Sequence, residues 1–373
     1  MFDPVSFSRQ LPEGPLAVAV SGGVDSLCAL LLCLQTQRPV LAVHARLSVP
    51  DDPERLRLED QTILALASLC TRLGADFHLL DLQKRFHDEV VAPFAKAYLQ
   101  GLTPNPCAFC NRAIKFGAIL EGALGLGAQV LITGHYAHLD RTHPYAGSAP
   151  LLGRARDTAK DQSYFLGLVP RKVLSRVAFP LEDLTKEEVR ALVGEAGLSV
   201  PAPGESQEIC FVPPTPQGYR DFLAGFADNA GALAAGDMVE LDSGQIVGRH
   251  QGLWQYTEGQ RRGLGIAWKE PLYVLAKDRA TNVLTVGSRQ HTQVSWARIE
   301  DINWTIEKDE LPKRCTVRLR YRQAPIEAEV RLADEGLEVF CKKATSLSAP
   351  GQVAAISDDR GRILAAGILK KLA

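Results

Sequence analysis

Apolar residues in the first half of the chain follow two alternating patterns. Leu16 to Val20 is a short unbroken run, β-branched at Val18 and Val20, as a buried strand requires. Leu27, Leu30, Leu31 and Leu34 then recur at i, i+3, i+4 and i+7, one face of a helix. The alternation repeats down the chain. Val40–Val43 reads as a strand, and Ile63, Leu66, Ala67 and Cys70 as a helix ended by Gly74. Phe77–Leu82 is a third strand, and Phe86, Val90, Phe94 and Ala97 a third helix. Val130–Thr133 is a buried strand running into Gly134-His135-Tyr136, and polar Ser48–Glu54 a loop. Strands alternating with helices predict an α/β unit with a doubly wound parallel sheet, whose ligands bind at the carboxyl ends of strands. A helix near Thr185 closes this unit. Thr185 and Glu188 form a capping box, Leu184 and Val189 a staple, and Gly197 a stop.

The pattern changes after Pro201-Ala-Pro-Gly-Glu205, a Pro/Gly-rich boundary. Residues 206–285 read as a small mixed α+β domain, with a helix around Tyr219–Phe226, short strands and the turn Asp242-Ser243-Gly244. Residues 286–373 read as short alternating strands, and hence a C-terminal β-barrel. Within Cys315–Arg322, Cys315, Val317, Leu319 and Tyr321 face one way, and Thr316, Arg318, Arg320 and Arg322 the other. The expected division is thus 1–205, 206–285 and 286–373.

Composition narrows the picture little. The 373 residues are 46% apolar and 23% charged, with a net charge of −1, which excludes a wholly basic nucleic-acid-coating protein but not a local basic face. No apolar stretch spans a bilayer and the N-terminus lacks a signal-peptide pattern, so a cytoplasmic setting with reduced thiols is expected. The eight cysteines then read as core residues, metal ligands or reactive thiols.

Two stretches carry candidate chemistry. Ser21-Gly-Gly-Val-Asp-Ser26 sits where a strand turns into a helix. Two glycines let the backbone approach a ligand, and the helix start offers unpaired N–H groups to an anion such as phosphate. Asp25 suits a magnesium ion. Neither Gly-x-x-x-x-Gly-Lys-Ser/Thr nor Gly-x-Gly-x-x-Gly is present. The second stretch is Thr103-Pro-Asn-Pro-Cys-Ala-Phe-Cys-Asn111, a rigid turn with Asn111 as N-cap of the helix carrying Ile114 and Lys115. Cys110 near a helix N-terminus, with Arg112 and Lys115 at hand, favours thiolate. Cys210 at the domain boundary suits a mobile nucleophile.

The Ser-Gly-Gly-x-Asp-Ser string resembles the PP-loop of the ATP pyrophosphatases. With it come, in order, the 103–111 stretch, Gly134-His135-Tyr136, Lys160-Asp-Gln-Ser-Tyr-Phe-Leu166, Ser206-Gln-Glu-Ile-Cys210 and Gly259-Gln-Arg-Arg-Gly-Leu-Gly265. The ordered set, covering nearly the whole chain, is similar to the tRNA-specific 2-thiouridylases. The resemblance implies ATP-dependent 2-thiolation of a tRNA wobble uridine, through adenylation of the uracil C2 oxygen and attack by a persulfide sulfur. It implies ATP and Mg2+ at Ala19, Val20, Ser21, Gly22, Gly23, Val24, Asp25 and Ser26, with Ala45 and Gly134 near the nucleotide. Cys210 would carry the sulfur and Cys110 assist its release, through a Cys110–Cys210 disulfide. Asn105, Pro106 and Cys107 would contact the target base. His135, Lys160, Asp161, Gln162, Arg320, Tyr321, Arg322 and Gln352 would touch the anticodon stem-loop. A cysteine desulfurase or persulfide carrier would supply sulfur, and no membrane is involved.

One departure stands out. Members commonly carry aspartate where this chain has Cys107, so an aspartate general acid is void here. Cys107, Cys110 and Cys210 could instead ligate a [4Fe-4S] cluster with one open iron, while zinc would want a fourth ligand. Persulfide and cluster routes both stay open, as does a PP-loop ligase acting on a small molecule, or an RNA-binding metal or redox protein. Other residues read more plainly. Cys28, Cys33, Cys70, Cys315 and Cys341 suit the core. Lys160-Asp161-Gln162 also fits a solvated loop. Five basic residues from Lys313 to Arg322 fit either an exposed barrel face or phosphate contacts.

Overall fold

A computed structural model of the protein describes residues 2–47, 53–147, 149–202, 209–213, 215, 218–226 and 234–373, with Arg220 described by its backbone alone. Residues 48–52 of the expected loop, and Pro203 to Glu208 with most of the boundary and the start of the Cys210 motif, lie outside the described residues.

A short helix α1 (Pro4–Arg9) precedes β1 (Leu16–Ala19), α2 (Val24–Leu34), β2 (Val40–Arg46), α3 (Pro53–Leu73) and β3 (Asp76–Asp81). Next, α4 (Gln83–Phe86) runs through a π-helical turn (His87–Val91) into α5 (Ala92–Leu99). A second such run joins α6 (Pro106–Cys110) through a π-helical segment (Asn111–Ile119) to α7 (Leu120–Gly125). Then come β4 (Val130–Ile132), β5 (His138–Asp140), β6 (Leu151–Gly153), α8 (Ser163–Leu166), α9 (Arg171–Leu174), β7 (Val177–Ala178) and α10 (Lys186–Glu195). The sheet order is β3-β2-β1-β4-β7, all parallel. Both faces are covered. Leu16, Val18 and Val20 pack with Leu27, Leu66 and Val189 on one side, Ala17 with Phe94, Ile114 and Ile119 on the other. That is the doubly wound layout expected of buried, β-branched strands.

Helix α11 (Gly218–Ala224) leads to a four-stranded sheet of β8 (Gly236–Glu240), β9 (Ile246–His250), β10 (Tyr273–Asp278) and β11 (Val283–Gly287), in the order β10-β11-β8-β9. Six further strands close an antiparallel barrel in the order β12-β15-β14-β13-β16-β17: β12 (Gln293–Trp304), β13 (Arg314–Arg318), β14 (Ile326–Ala333), β15 (Gly336–Ser346), β16 (Val353–Ser357) and β17 (Ile363–Leu372). The barrel docks on the first sheet unit. Tyr164 donates its hydroxyl to Val353 O, and Asn303 its amide to Gly167 O and Val169 O.

Two local expectations need correction. The cap of the cysteine-bearing helix is Asn105, whose side chain accepts from Ala108 N at 3.2 Å; Pro106 fills the first turn. Asn111 lies inside the helix, buried, with its amide donated to Phe165 O. Asparagine before proline was the stronger cap, because proline at the first helical position needs no N–H partner. The outward row of arginines also breaks at Arg318, where β13 ends. Its side chain turns inward to an ion pair, so strand alternation cannot be carried through to Arg320 and Arg322. Cys28, Cys33, Cys70 and Cys315 are buried, as core residues should be.

Candidate active site

The nucleotide turn is built by β1, α2 and their neighbours. Gly22 holds φ +89, and Gly23 caps α2 with no side-chain hydrogen bond, leaving the first N–H groups of an 11-residue helix free of side-chain acceptors. The Ser26 hydroxyl donates to Gly23 O at 2.8 Å and accepts from Ser21 N at 3.1 Å, closing the turn on itself. Gly134, just past β4, abuts the start of α2: a Cβ there would lie 2.7 Å from the backbone of Asp25. Ala45 lies near the end of β2. Asp25 does not point alone into the crevice. Lys186 Nζ sits 2.7 and 2.8 Å from its two oxygens, and the Tyr136 hydroxyl donates to Oδ1 at 2.8 Å. Sequence reasoning missed Lys186. The capping box marked the start of α10, but nothing marked its first residue as a partner of Asp25.

The three candidate thiols lie close enough to feel one another's charge. Cys107 and Cys110 lie within α6, Cys107 at the surface and Cys110 deeper. Cys210 is also at the surface, anchored by its neighbour Phe211, whose ring packs edge-on against Phe86 and Phe94 at 5.7 and 5.3 Å. Burial pushes the Cys110 thiol up to about 12, against the pull of Lys115; Cys210 and Cys107 each raise it further. Desolvation by neighbouring atoms raises Cys107 and Cys210 as well, although both side chains reach the surface, and Lys115 again opposes. The expectation that Cys110 is a ready thiolate is thus corrected: desolvation outweighs the nearby charge in this state. Arg112 contributes little, being exposed with its guanidinium 5.4 Å over the Phe109 ring.

Lys115 Nζ lies 3.3 Å from His135 Nε2, and His135 Nδ1 lies 2.8 Å from Thr133 Oγ1. Burial, then the charge of Lys115, holds His135 well below the usual imidazole value. A neutral ring accepts from Lys115 at Nε2 and donates from Nδ1 to Thr133, the tautomer the network assigns. Among the described residues no group of three or more His, Cys, Asp or Glu side chains is arranged to hold a metal ion. Cys107, Cys110 and Cys210 do not form such a group.

The residues expected to meet tRNA divide. Arg320 and Arg322 are exposed, Lys160 partly so. Tyr321 lays its ring 4.2 Å from that of Phe165 and donates its hydroxyl to Asp161 O at 3.3 Å. Asp161 is buried and ion-paired to Arg318 at 3.3 Å and Arg154 at 3.4 Å. The Gln162 side chain accepts from Tyr136 N. His135 is buried, with both ring nitrogens engaged. Gln352 donates its amide to Thr103 O at 2.8 Å, while Thr103 N donates to Pro350 O at 2.8 Å. Asn105 and Pro106, the next residues but one, are buried. The barrel thus grips the strap that leads into α6.

Family models match in three consecutive pieces: a tRNA methyl transferase HUP domain over residues 15–214, a tRNA methyl transferase PRC-barrel domain over 220–288, and an aminomethyltransferase β-barrel domain over 295–368. The tRNA-specific 2-thiouridylase MnmA of Oleidesulfovibrio alaskensis is 48% identical over 358 residues, 95% of this chain and 98% of that one. Its counterpart in Lawsonia intracellularis is 42% identical over 363 residues, again 95% and 98%. Among solved structures, the U34-tRNA thiolase NcsA of Methanococcus maripaludis with its [4Fe-4S] cluster matches at TM-score 0.36 and 16% identity, over 59% of this chain and 65% of that one, too slight a likeness to bear on the cysteines here. Near-full-length identity of this order shows that the chain belongs to the tRNA-specific 2-thiouridylase family.

Proposed function

We propose that the protein uses ATP to replace the C2 oxygen of a tRNA wobble uridine with sulfur. One observation carries the reading. Residues 133–136 join the two halves of the chemistry: Gly134 and Tyr136 hold the Asp25 turn, and His135 holds Lys115 beside the thiols. Four consecutive residues thus fix a nucleotide site and a sulfur site against each other.

The chemistry follows from the parts. Ala19 to Ser26, with Ala45 and Gly134, receive ATP, its phosphates on the N-terminus of α2. Asp25 offers a hard carboxylate oxygen to the magnesium ion that accompanies ATP, which neutralises phosphate charge. Uracil oxygen is a poor leaving group; transfer of AMP to it releases pyrophosphate and makes a good one. The terminal sulfur of a Cys210 persulfide attacks C2, and AMP departs with the C–O electron pair. Cys110 thiolate then attacks Cys210 Sγ. The S–S electrons pass to the sulfur on C2, leaving 2-thiouridine and a Cys110–Cys210 disulfide that an external thiol reductant reopens. The base leaves the anticodon stack to reach Asn105, Pro106 and Cys107, as base-modifying enzymes require. Lys160, Arg320, Tyr321 and Arg322 contact the tRNA, and a cysteine desulfurase or persulfide carrier loads Cys210. No helix among the described residues is long and apolar enough to cross a membrane, and a cytoplasmic setting keeps the thiols reduced between turnovers.

The test is to incubate the protein with unmodified tRNA, MgATP, cysteine and a cysteine desulfurase, and to digest the tRNA for mass spectrometry. One AMP and one pyrophosphate per 2-thiouridine is expected. AMP release without thiouridine would point to another ligase, and neither product would end the proposal.

A further inference from the structure

Three thiols line the sulfur site, and desolvation by the surrounding protein works against the anionic form of each, even though Cys107 and Cys210 reach the surface. Sulfur must become anionic to attack carbon or another sulfur. An anion formed in a crowded crevice needs a cation beside it. Lys115 is the lysine whose charge reaches all three sulfurs; Arg55 reaches Cys210 alone.

The helix carrying Cys110 is shaped to bring that lysine round. In an α-helix the residue five places on is rotated by about 140°. Residues 111–119 are π-helical, bonded i to i+5, so Lys115 is rotated from Cys110 by far less than in an α-helix, and its charge reaches the Cys110 sulfur. Its ammonium is then held from the far side by His135 Nε2 at 3.3 Å, with Thr133 Oγ1 2.8 Å from Nδ1. The ring is wedged between Phe116 and Phe179, at centroid distances of 5.5 and 6.0 Å, and cannot swing away. A neutral histidine accepts a hydrogen bond from the lysine without cancelling its charge, as a carboxylate would. The cation stays available to sulfur.

We propose that Lys115 is the counter-cation of the sulfur-transfer step, stabilising anionic sulfur on Cys110 and Cys210, and that His135 and Thr133 are the positioning residues that hold it there. The assignment rests on the thiolation reading and gives His135 a duty inside the crevice. It also supplies a charged group to a site where Cys107 offers no carboxylate.

The experiment compares wild type, Lys115→Met, Lys115→Arg and His135→Gln in two ways. Iodoacetamide alkylation near neutral pH, read by mass spectrometry at Cys110 and Cys210, needs neither ATP nor tRNA. Single-turnover thiolation of tRNA by persulfide-loaded enzyme is followed alongside AMP release. Lys115→Met should slow alkylation of Cys110 about tenfold, the effect of one unit in thiol acidity. It should slow thiolation about a hundredfold and AMP release far less. Lys115→Arg should recover most of both losses, and His135→Gln should fall between. Alkylation of Lys115→Met at the wild-type rate would overturn the proposal, as would an equal fall in AMP release and thiolation. If Lys115→Met fails to give a wild-type melting curve, the arginine and glutamine variants decide. A wild-type protein that makes no thiouridine would refute the proposed function, while the alkylation comparison still judges Lys115.

Discussion

Lys186 Nζ lies 2.7 and 2.8 Å from the two carboxylate oxygens of Asp25, a residue 161 positions earlier. The lysine side chain is only 4% exposed, the aspartate 33%. A lysine that deep needs a charged partner, and Tyr136 reaches the same carboxylate from a third element. The nucleotide turn is therefore not self-contained: α10 and the segment after β4 hold its acidic residue in place.

Removing one member of the pair should cost more than removing both. Asp25→Ala removes the carboxylate from beside a buried ammonium and should lower stability by about 2 kcal/mol, less than a fully buried pair because the carboxylate is one-third open to water. Lys186→Met added to it should restore part of that loss. Denaturant unfolding of the single and double variants measures the coupling, and strict additivity would deny it. Both single variants should lose AMP formation.

How much of this was legible beforehand can be seen at particular residues. The Leu16–Val20 run and the glycine turn announced β1, α2 and the tight turn between them, because strand and helix periodicity act over a few neighbouring residues. Thr185 and Glu188 announced the start of α10 for the same reason, and the capping box is present. Lys186, Asp25 and Tyr136 meet only after folding, and no local pattern marks such a partnership. Arg318 looked like one of a row of exposed arginines. It is buried because Asp161, from a distant loop, meets it at the barrel wall. The thiols looked reactive because nearby cations are visible in sequence, whereas the burial that outweighs them is not.

Acidification should destabilise the fold. Burial lowers the affinity of His44 and His135 for a proton. In the unfolded chain each takes up a proton near pH 6.5. Below that value the unfolded state binds more protons, so stability falls as pH drops, by about 1.4 kcal/mol per unit for each histidine until the folded-state value is reached. His138, raised chiefly by its bond to Glu182, works the other way, but at 47% side-chain exposure its share is a few tenths of a kcal/mol. Urea melts at pH 7 and pH 5.5 should show the loss, and His135→Gln should shrink it. A His135→Gln slope equal to wild type would mean that His135 titrates normally.

The arginines of one strand end should behave as two classes. Arg318 and Asp161 form an ion pair with side chains 7% and 3% exposed, and Arg318→Ala should destabilise the protein by about 3 kcal/mol. Arg320 and Arg322 are exposed, and alanine at either should leave the melting temperature nearly unchanged. It should instead weaken tRNA binding and lower the salt dependence of log K by close to one unit per lost phosphate contact. Filter binding over a salt series checks this, and an unaltered slope in both variants would remove the barrel edge from the tRNA interface.

Gln352 offers the sharpest contrast between touching tRNA and shaping the site. Its amide donates to Thr103 O at 2.8 Å, two residues before Asn105, whose side chain caps the helix that carries Cys107 and Cys110. A neighbouring backbone bond, Thr103 N to Pro350 O, fastens the same strap. Gln352→Ala removes one hydrogen bond, worth about 1 kcal/mol, and lets the strap shift by fractions of an ångström. Misplacement of that size near reacting atoms slows chemistry without weakening substrate binding. The thiolation kcat should therefore fall about tenfold, with KM for tRNA changed less than about twofold. Gln352→Glu should be worse than alanine, because it sets a carboxylate against a carbonyl oxygen. If KM rises while kcat holds, the glutamine serves tRNA directly and the strap stands without it.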